Sequence, residues 1–140
     1  MSEAQRLTGR CLCGAVTITA QPKSRHLDAC HCTMCRRWGG GALIVAQCMD
    51  DADVGGASHI TTYNSSEWAE RAFCSRCGTH LYYRLKADGF LAIPVGLLDS
   101  DGNWQLVQEI FIDEKPAYYD FANATERLTG AEVTARFGVP

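Results

Sequence analysis

The chain has 140 residues, 46% of them hydrophobic and 21% charged, which suits one soluble domain with a core of its own. Its formal net charge of -3 lacks the basic excess of a general nucleic-acid binder, and no stretch is apolar and long enough to span a bilayer. Met1 to Arg10 hold no apolar run of the secretory type, so the expected location is the cytoplasm, where thiols stay reduced.

In chain order the pattern is mostly β. Val16 and Ile18 alternate with Thr17 and Thr19, which predicts a half-buried strand after a turn at Gly14. Leu43 to Ala46 form a short apolar run, as in a strand covered on both faces. Ile60 to Tyr63 and Leu81 to Tyr83 are good strand formers. Phe90 to Leu98 and Trp104 to Ile112 read as two more strands, joined by a turn at Asp99 to Asn103. Pro94 argues for an edge position or a bulge in the first of them. Helical signals are few. Arg36 to Gly41 is too glycine-rich for a long helix, and Asn123 to Leu128 reads as a loop or one helical turn. Thr129 to Arg136 predicts a short helix, with Thr129 as N-cap, Glu132 three residues on and Gly138 after it. There is no internal repeat or low-complexity linker. The expectation is a single antiparallel β domain over residues 1–140 with short helical pieces.

Eight cysteines in a reducing compartment point to metal or catalysis rather than disulfides. Cys11 and Cys13 form C-x-C, Cys30, Cys32 and Cys35 form C-x-C-x-x-C around His31, and Cys74 and Cys77 form C-x-x-C. Zinc favours soft thiolates in a tetrahedron. Glycines follow Cys13 and Cys77 and permit the tight turns that bring two sulfurs and nearby N–H groups together. Two two-cysteine groups complete a closed, structural site. The three-cysteine group then has three ligands and an open fourth position, the arrangement of a catalytic zinc. Spacing alone also allows Cys48 to close that second site. Redox pairing lacks a βαβ context. Cys48, in an apolar run, reads as a buried small hydrophobe. His31 is expected to point away from its cysteine neighbours, and His26, His59 and His80 are unassigned.

Gly9-Arg10-Cys11-Leu12-Cys13-Gly14-Ala15-Val16 resembles the opening signature of the glutathione-dependent formaldehyde-activating enzyme family, also called the centromere protein V type. Cys30-His31-Cys32-Thr33-Met34-Cys35-Arg36-Arg37 is similar to its central motif, and Phe73 to Tyr82 to its later F-C-x-x-C-G-x-x-L element. Ile110 to Pro116 also resembles a family ending. The resemblance implies an antiparallel β-tent fold stapled by zinc. It implies one structural zinc on Cys11, Cys13, Cys74 and Cys77, and one catalytic-type zinc on Cys30, Cys32 and Cys35. The activity it implies is carbon–sulfur chemistry, joining formaldehyde to glutathione as S-hydroxymethylglutathione and the reverse.

The functional expectation is therefore a zinc-dependent carbon–sulfur lyase acting on a small-molecule thiol adduct, glutathione-derived in the family's named reaction. Arg36 and Arg37 are candidates for steadying the thiolates or holding a substrate carboxylate. Trp38 and Gly39 to Gly41 are candidates for a pocket wall. The alternative is a non-enzymatic, zinc-stabilised binding module, with Cys48 or His31 closing the second site. A nucleic-acid-binding zinc ribbon ranks third, since the chain is acidic and has no basic-aromatic run. No membrane partner is expected, and nothing in the sequence fixes an oligomeric state.

Overall fold

The computed structural model describes residues 5–100 and 102–138. Asp101, inside the turn expected at 99–103, lies outside the described residues. In chain order the elements are β1 (Leu7–Arg10), β2 (Thr17–Ala20), β3 (Pro22–Cys30), helix α1 (Thr33–Gly39), β4 (Leu43–Cys48), β5 (Asp53–Gly55) and β6 (Ile60–Tyr63). There follow β7 (Ala69–Cys74), β8 (His80–Leu85), β9 (Leu91–Pro94), β10 (Gln105–Ile110), β11 (Glu126–Leu128) and helix α2 (Gly130–Phe137). The protein is mainly β, as expected.

The described residues divide into two compact units, one holding residues up to Arg25 and those from Ala46 to Asn103, the other His26 to Val45 and those from Trp104 onward. In the first unit β2 lies between β1 and β5, antiparallel to both. Its period-two pattern is visible in burial: Ile18 and Ala20 are buried, and Thr17 and Thr19 half-buried. Strands β6, β7, β8 and β9 form a second antiparallel run in the same unit. Leu81 and Ile93 are fully buried there, as are Val16 and Ile18. The strand expected across Phe90 to Leu98 stops at Pro94, which begins the 3-10 turn Val95–Leu97. Proline fixes φ and removes a ladder donor, so it terminates the strand rather than bulging it.

In the second unit β10 lies between β3 and β11 and runs parallel to both, pairing Glu109 with Ala29 and Arg127, and Ile110 with Cys30 and Leu128. These parallel pairs add to the antiparallel pattern read from sequence. Parallel neighbours need a crossover of a dozen or more residues, and residues 111–125 supply one between β10 and β11. The segment read as a loop or helical turn at Asn123 to Leu128 thus ends in a short strand. Helix α2 forms where Thr129 and Glu132 predict it: the Thr129 side chain accepts from the Glu132 N–H, and the Glu132 carboxylate accepts from the Thr129 N–H at 2.9 Å. Such a cap is worth about 1 kcal/mol.

Candidate metal centres

The seven cysteines of the three motifs converge into two clusters, one in each unit. In the first unit the sulfurs of Cys11, Cys13, Cys74 and Cys77 all lie within 4.8 Å of one another. Cys11 and Cys13 are 3.6 Å apart and Cys13 and Cys74 3.8 Å. Thiolates about 2.3 Å from a tetrahedral zinc ion sit about 3.8 Å from each other, so these two separations match those between ligands of such an ion. The backbone explains it. Each cysteine pair begins a short loop closed by a backbone bond, Cys11 N–H to Val16 O at 3.0 Å and Cys74 N–H to Thr79 O at 2.9 Å. Gly14 and Gly78 turn these loops at φ 79° and 78°, in the left-handed region that glycine adopts without penalty. Freed N–H groups then face sulfur: Val16 N–H donates to Cys11 Sγ at 3.3 Å and Arg76 N–H to Cys74 Sγ at 3.4 Å. Thr79 joins the loops, its hydroxyl oxygen accepting from the Leu12 N–H at 3.0 Å and lying 3.2 Å from Cys77 Sγ.

Cys77 and Cys13 are driven in opposite directions. The Thr79 hydroxyl and backbone N–H groups pull Cys77 down to about 5. The Ala15 N–H favours the Cys13 thiolate, but desolvation and the neighbouring sulfurs outweigh it and push Cys13 up to about 11. Sulfurs this close resist sharing several negative charges without a cation among them.

In the second unit Cys30, Cys32 and Cys35 bring their sulfurs within 4.8 Å of one another, and this group of metal-capable side chains has three members among the described residues. Cys30 ends β3, and Cys32 is the N-cap of α1, its sulfur accepting the Cys35 N–H at 3.3 Å. A single strand-to-helix turn thereby presents three sulfurs together. Cys32 and Cys35 are buried and Cys30 half-buried. The Cys30 thiol is pushed strongly upward, first by its contacts with the sulfurs of Cys32 and Cys35 and then by burial.

His31 is fully buried, and neither ring nitrogen is open to a metal: Nε2 is 2.8 Å from Glu109 Oε1 and Nδ1 is 2.6 Å from Tyr119 Oη. Cys48, also fully buried, belongs to neither cluster; its thiol donates to the Ala46 carbonyl oxygen at 3.7 Å, and burial pushes it up to about 12.

The two arginines part company. Arg36 Nε donates to the His31 carbonyl oxygen at 2.9 Å, and its Nη2 reaches Thr33 Oγ1 at 3.4 Å, so this side chain braces the cysteine turn. Arg37 is exposed, with no hydrogen-bond or ion-pair partner among the described residues. Trp38 is half-buried, and Gly40 closes α1 with φ 87°. Glu114 Oε1 accepts from both the N–H and the hydroxyl of Thr33, each at 3.0 Å, a favourable placement for an anion at a helix start.

Sequence reasoning did not single out Glu109, Glu114, Tyr119 or Thr79. Glu114 stands in the Ile110 to Pro116 segment, and that segment proves to be a hub. Asp113 Oδ1 accepts from the Gly130 N–H at 2.9 Å at the start of α2, and Lys115 Nζ bonds Pro116 O at 2.9 Å and Asp120 Oδ1 at 2.7 Å.

Comparison with known proteins agrees with the motifs. The family described as glutathione-dependent formaldehyde-activating enzyme matches residues 6–114. An uncharacterized lyase of Schizosaccharomyces pombe is 35% identical over 126 residues, covering 89% of this chain and 92% of that protein. A Halomonas elongata protein named "Putative glutathione-dependent formaldehyde-activating enzyme" is 35% identical over 85 residues, 54% of each chain. Among solved structures, that of a Rhodobacter sphaeroides protein aligns with a TM-score of 0.58 at 28% identity, covering 66% of this chain and 88% of that one.

Proposed function

The chain belongs to the glutathione-dependent formaldehyde-activating enzyme family, and from that premise we propose that it is a zinc-dependent carbon–sulfur lyase acting on a glutathione or related thiol adduct. The observation that carries this reading is the three-sulfur cluster of Cys30, Cys32 and Cys35, with both nitrogens of the intervening His31 already engaged. The protein would hold up to two zinc ions. Cys11, Cys13, Cys74 and Cys77 would saturate a structural one, and the three-cysteine cluster would hold a second that is lost more easily. A zinc ion on three thiolates supplies Lewis acidity at its remaining position, favouring a substrate sulfur or oxygen that carries negative charge.

The remaining roles fall to the chain itself. Cys32 and Glu114 fix the start of α1, and Arg36 holds the His31 carbonyl, so the three sulfurs keep one arrangement. Arg37, exposed and unpaired among the described residues, is the group for a carboxylate of a glutathione-like substrate. In the synthetic direction the thiol sulfur forms a bond to the formaldehyde carbon. The carbonyl π pair moves to oxygen, which takes up the proton that the thiol loses. The reverse breaks the carbon–sulfur bond and returns thiol and aldehyde. None of the eight cysteines is paired in a disulfide, which suits a reducing compartment, where glutathione is abundant.

The test is to follow exchange between formaldehyde, glutathione and S-hydroxymethylglutathione by NMR with zinc-loaded protein. Exchange above the uncatalysed rate is expected, and it should be lost in Cys32→Ser. Arg37→Ala should raise KM for the glutathione adduct with little change in kcat. If the fully loaded protein accelerates neither this adduct nor other glutathione–aldehyde adducts, the enzyme reading fails and a zinc-stabilised binding module takes its place.

A further inference from the structure

Behind the three-cysteine cluster runs a chain of hydrogen bonds between side chains far apart in sequence. Glu109, on β10, is completely buried. Its Oε1 lies 2.8 Å from His31 Nε2, while its Oε2 accepts the Thr125 hydroxyl at 2.5 Å and lies 3.5 Å from Arg127 Nε. Burial alone would raise this carboxyl, but bonds from Thr125 and His31 and the charge of Arg127 hold it below the ordinary glutamate value. An ionised carboxylate only accepts, so His31 donates from Nε2. On the other side of the imidazole, Nδ1 is 2.6 Å from Tyr119 Oη.

Tyr119 is itself held. The Lys115 ammonium lies 5.2 Å from its ring centroid, and that ammonium is tied to Pro116 O and Asp120. Tyr118 and Phe121 pack against the same ring at 5.4 and 5.9 Å between centroids. The backbone of His31 is fixed as well, its N–H donating to Ile110 O at 3.1 Å and its carbonyl accepting from Arg36. Every polar group of His31 is therefore occupied, and its two sequence neighbours are Cys30 and Cys32.

A buried polar network of this kind is costly unless every member is satisfied. Packing alone would be served as well by an apolar side chain at position 31. What an imidazole gripped at both ends adds is rotational definition: it fixes the peptide between two sulfurs against twisting, as partners behind a ligand fix a metal site. We propose that Glu109 and Tyr119 are positioning residues for the three-cysteine site, acting through His31 to set the mutual geometry of Cys30 and Cys32. Tyr119, Thr125 and Arg127 lie beyond residue 114, where the family match ends. The proposal rests on that cluster being a metal site, not on which adduct it serves.

The test uses metal rather than turnover. Wild type, Tyr119→Phe and Glu109→Gln are prepared with zinc in the four-cysteine cluster and cobalt(II) added to the other. The readouts are the cobalt ligand-field spectrum, the apparent cobalt affinity against a chelator, and thermal unfolding. Tyr119→Phe removes one hydroxyl and keeps the ring, so folding should survive. Both variants should bind cobalt about ten- to a hundredfold more weakly, with a changed ligand-field envelope. A wild-type spectrum and affinity in Tyr119→Phe overturns the proposal, and so does a lower unfolding temperature with cobalt binding unchanged, which would mark a purely structural role. If Glu109→Gln does not fold, Tyr119→Phe decides alone. Wild type that takes up no cobalt at this cluster overturns the proposal together with the metal assignment, an outcome distinct from wild type that binds metal but turns over no adduct.

Discussion

Replacing Cys74 by serine should destabilise the protein far more than replacing Cys32 by serine. Each variant deletes one sulfur from a cluster, and each serine can still take up the local hydrogen bond. Cys32 caps α1 through its side chain, a position serine fills well, and Cys74 accepts from the Arg76 N–H. The local terms therefore nearly cancel, and the difference lies in the loops that metals bound at the two clusters would close. Cys13 and Cys74 are 61 residues apart, whereas Cys30 to Cys35 closes a loop of about five. With a closure cost near (3/2)RT ln n, the two loops are worth about 3.6 and about 1.4 kcal/mol, so the four-cysteine site should stabilise the fold by about 2 kcal/mol more. For a chain of this size that is a difference of about 5–10 °C in Tm. The assay is thermal unfolding of both zinc-loaded variants beside wild type, with metal content measured on the same samples. Equal falls in Tm, each with one zinc lost, would refute the argument, because loop length would then not decide which cluster holds the fold.

Two further outcomes follow from single positions. A Cβ on Gly9 would sit 2.0 Å from the Leu97 carbonyl oxygen, and backbone cannot step aside as a side chain does, so Gly9→Ala should cost about 1–3 kcal/mol or more; an unchanged unfolding temperature would show that β1 does not pack so closely. Cys48 is held as a neutral thiol up to about 12 against an ordinary 9.0, so its contribution to stability is full below pH 9 and is lost as pH rises toward 12. Unfolding at pH 8 and pH 10.5 should show that decline in wild type and less of it in Cys48→Ala; equal slopes would mean that Cys48 does not govern it.

Much of the fold was legible wherever one face of an element meets water. The alternation at Val16 to Thr19 marks β2, and the Thr129–Glu132 box with Gly138 marks α2 to within a residue. The elements that escaped lack such a signature. Strand β3 begins with Pro22, Lys23, Ser24, Arg25 and His26, and its buried positions beyond Pro22 are only Leu27 and Ala29. No period of two survives so few apolar residues. Helix α1 has no conventional cap residue. A cysteine sulfur supplies the cap from within the motif, and a carboxylate 81 residues away completes it.

The same distinction governs the site. Clustering of the cysteines was readable because short spacings and the glycines after Cys13 and Cys77 are local features that bring several sulfurs within reach of one another, as a metal site would demand. What surrounds the sulfurs is not local. Glu109 is 78 residues from His31 and Tyr119 is 88, and an isolated glutamate on a strand or a tyrosine in a loop carries no mark of its partner. The one sequence-level hint was the histidine itself. A residue confined between two cysteines whose sulfurs converge must turn its side chain away from them, and a polar ring turned into a core has to find hydrogen bonds there. That reasoning predicts partners for His31 without naming them, because only the parallel pairing of β3 with β10 puts Glu109 opposite Ala29, one position past His31's other neighbour, Cys30.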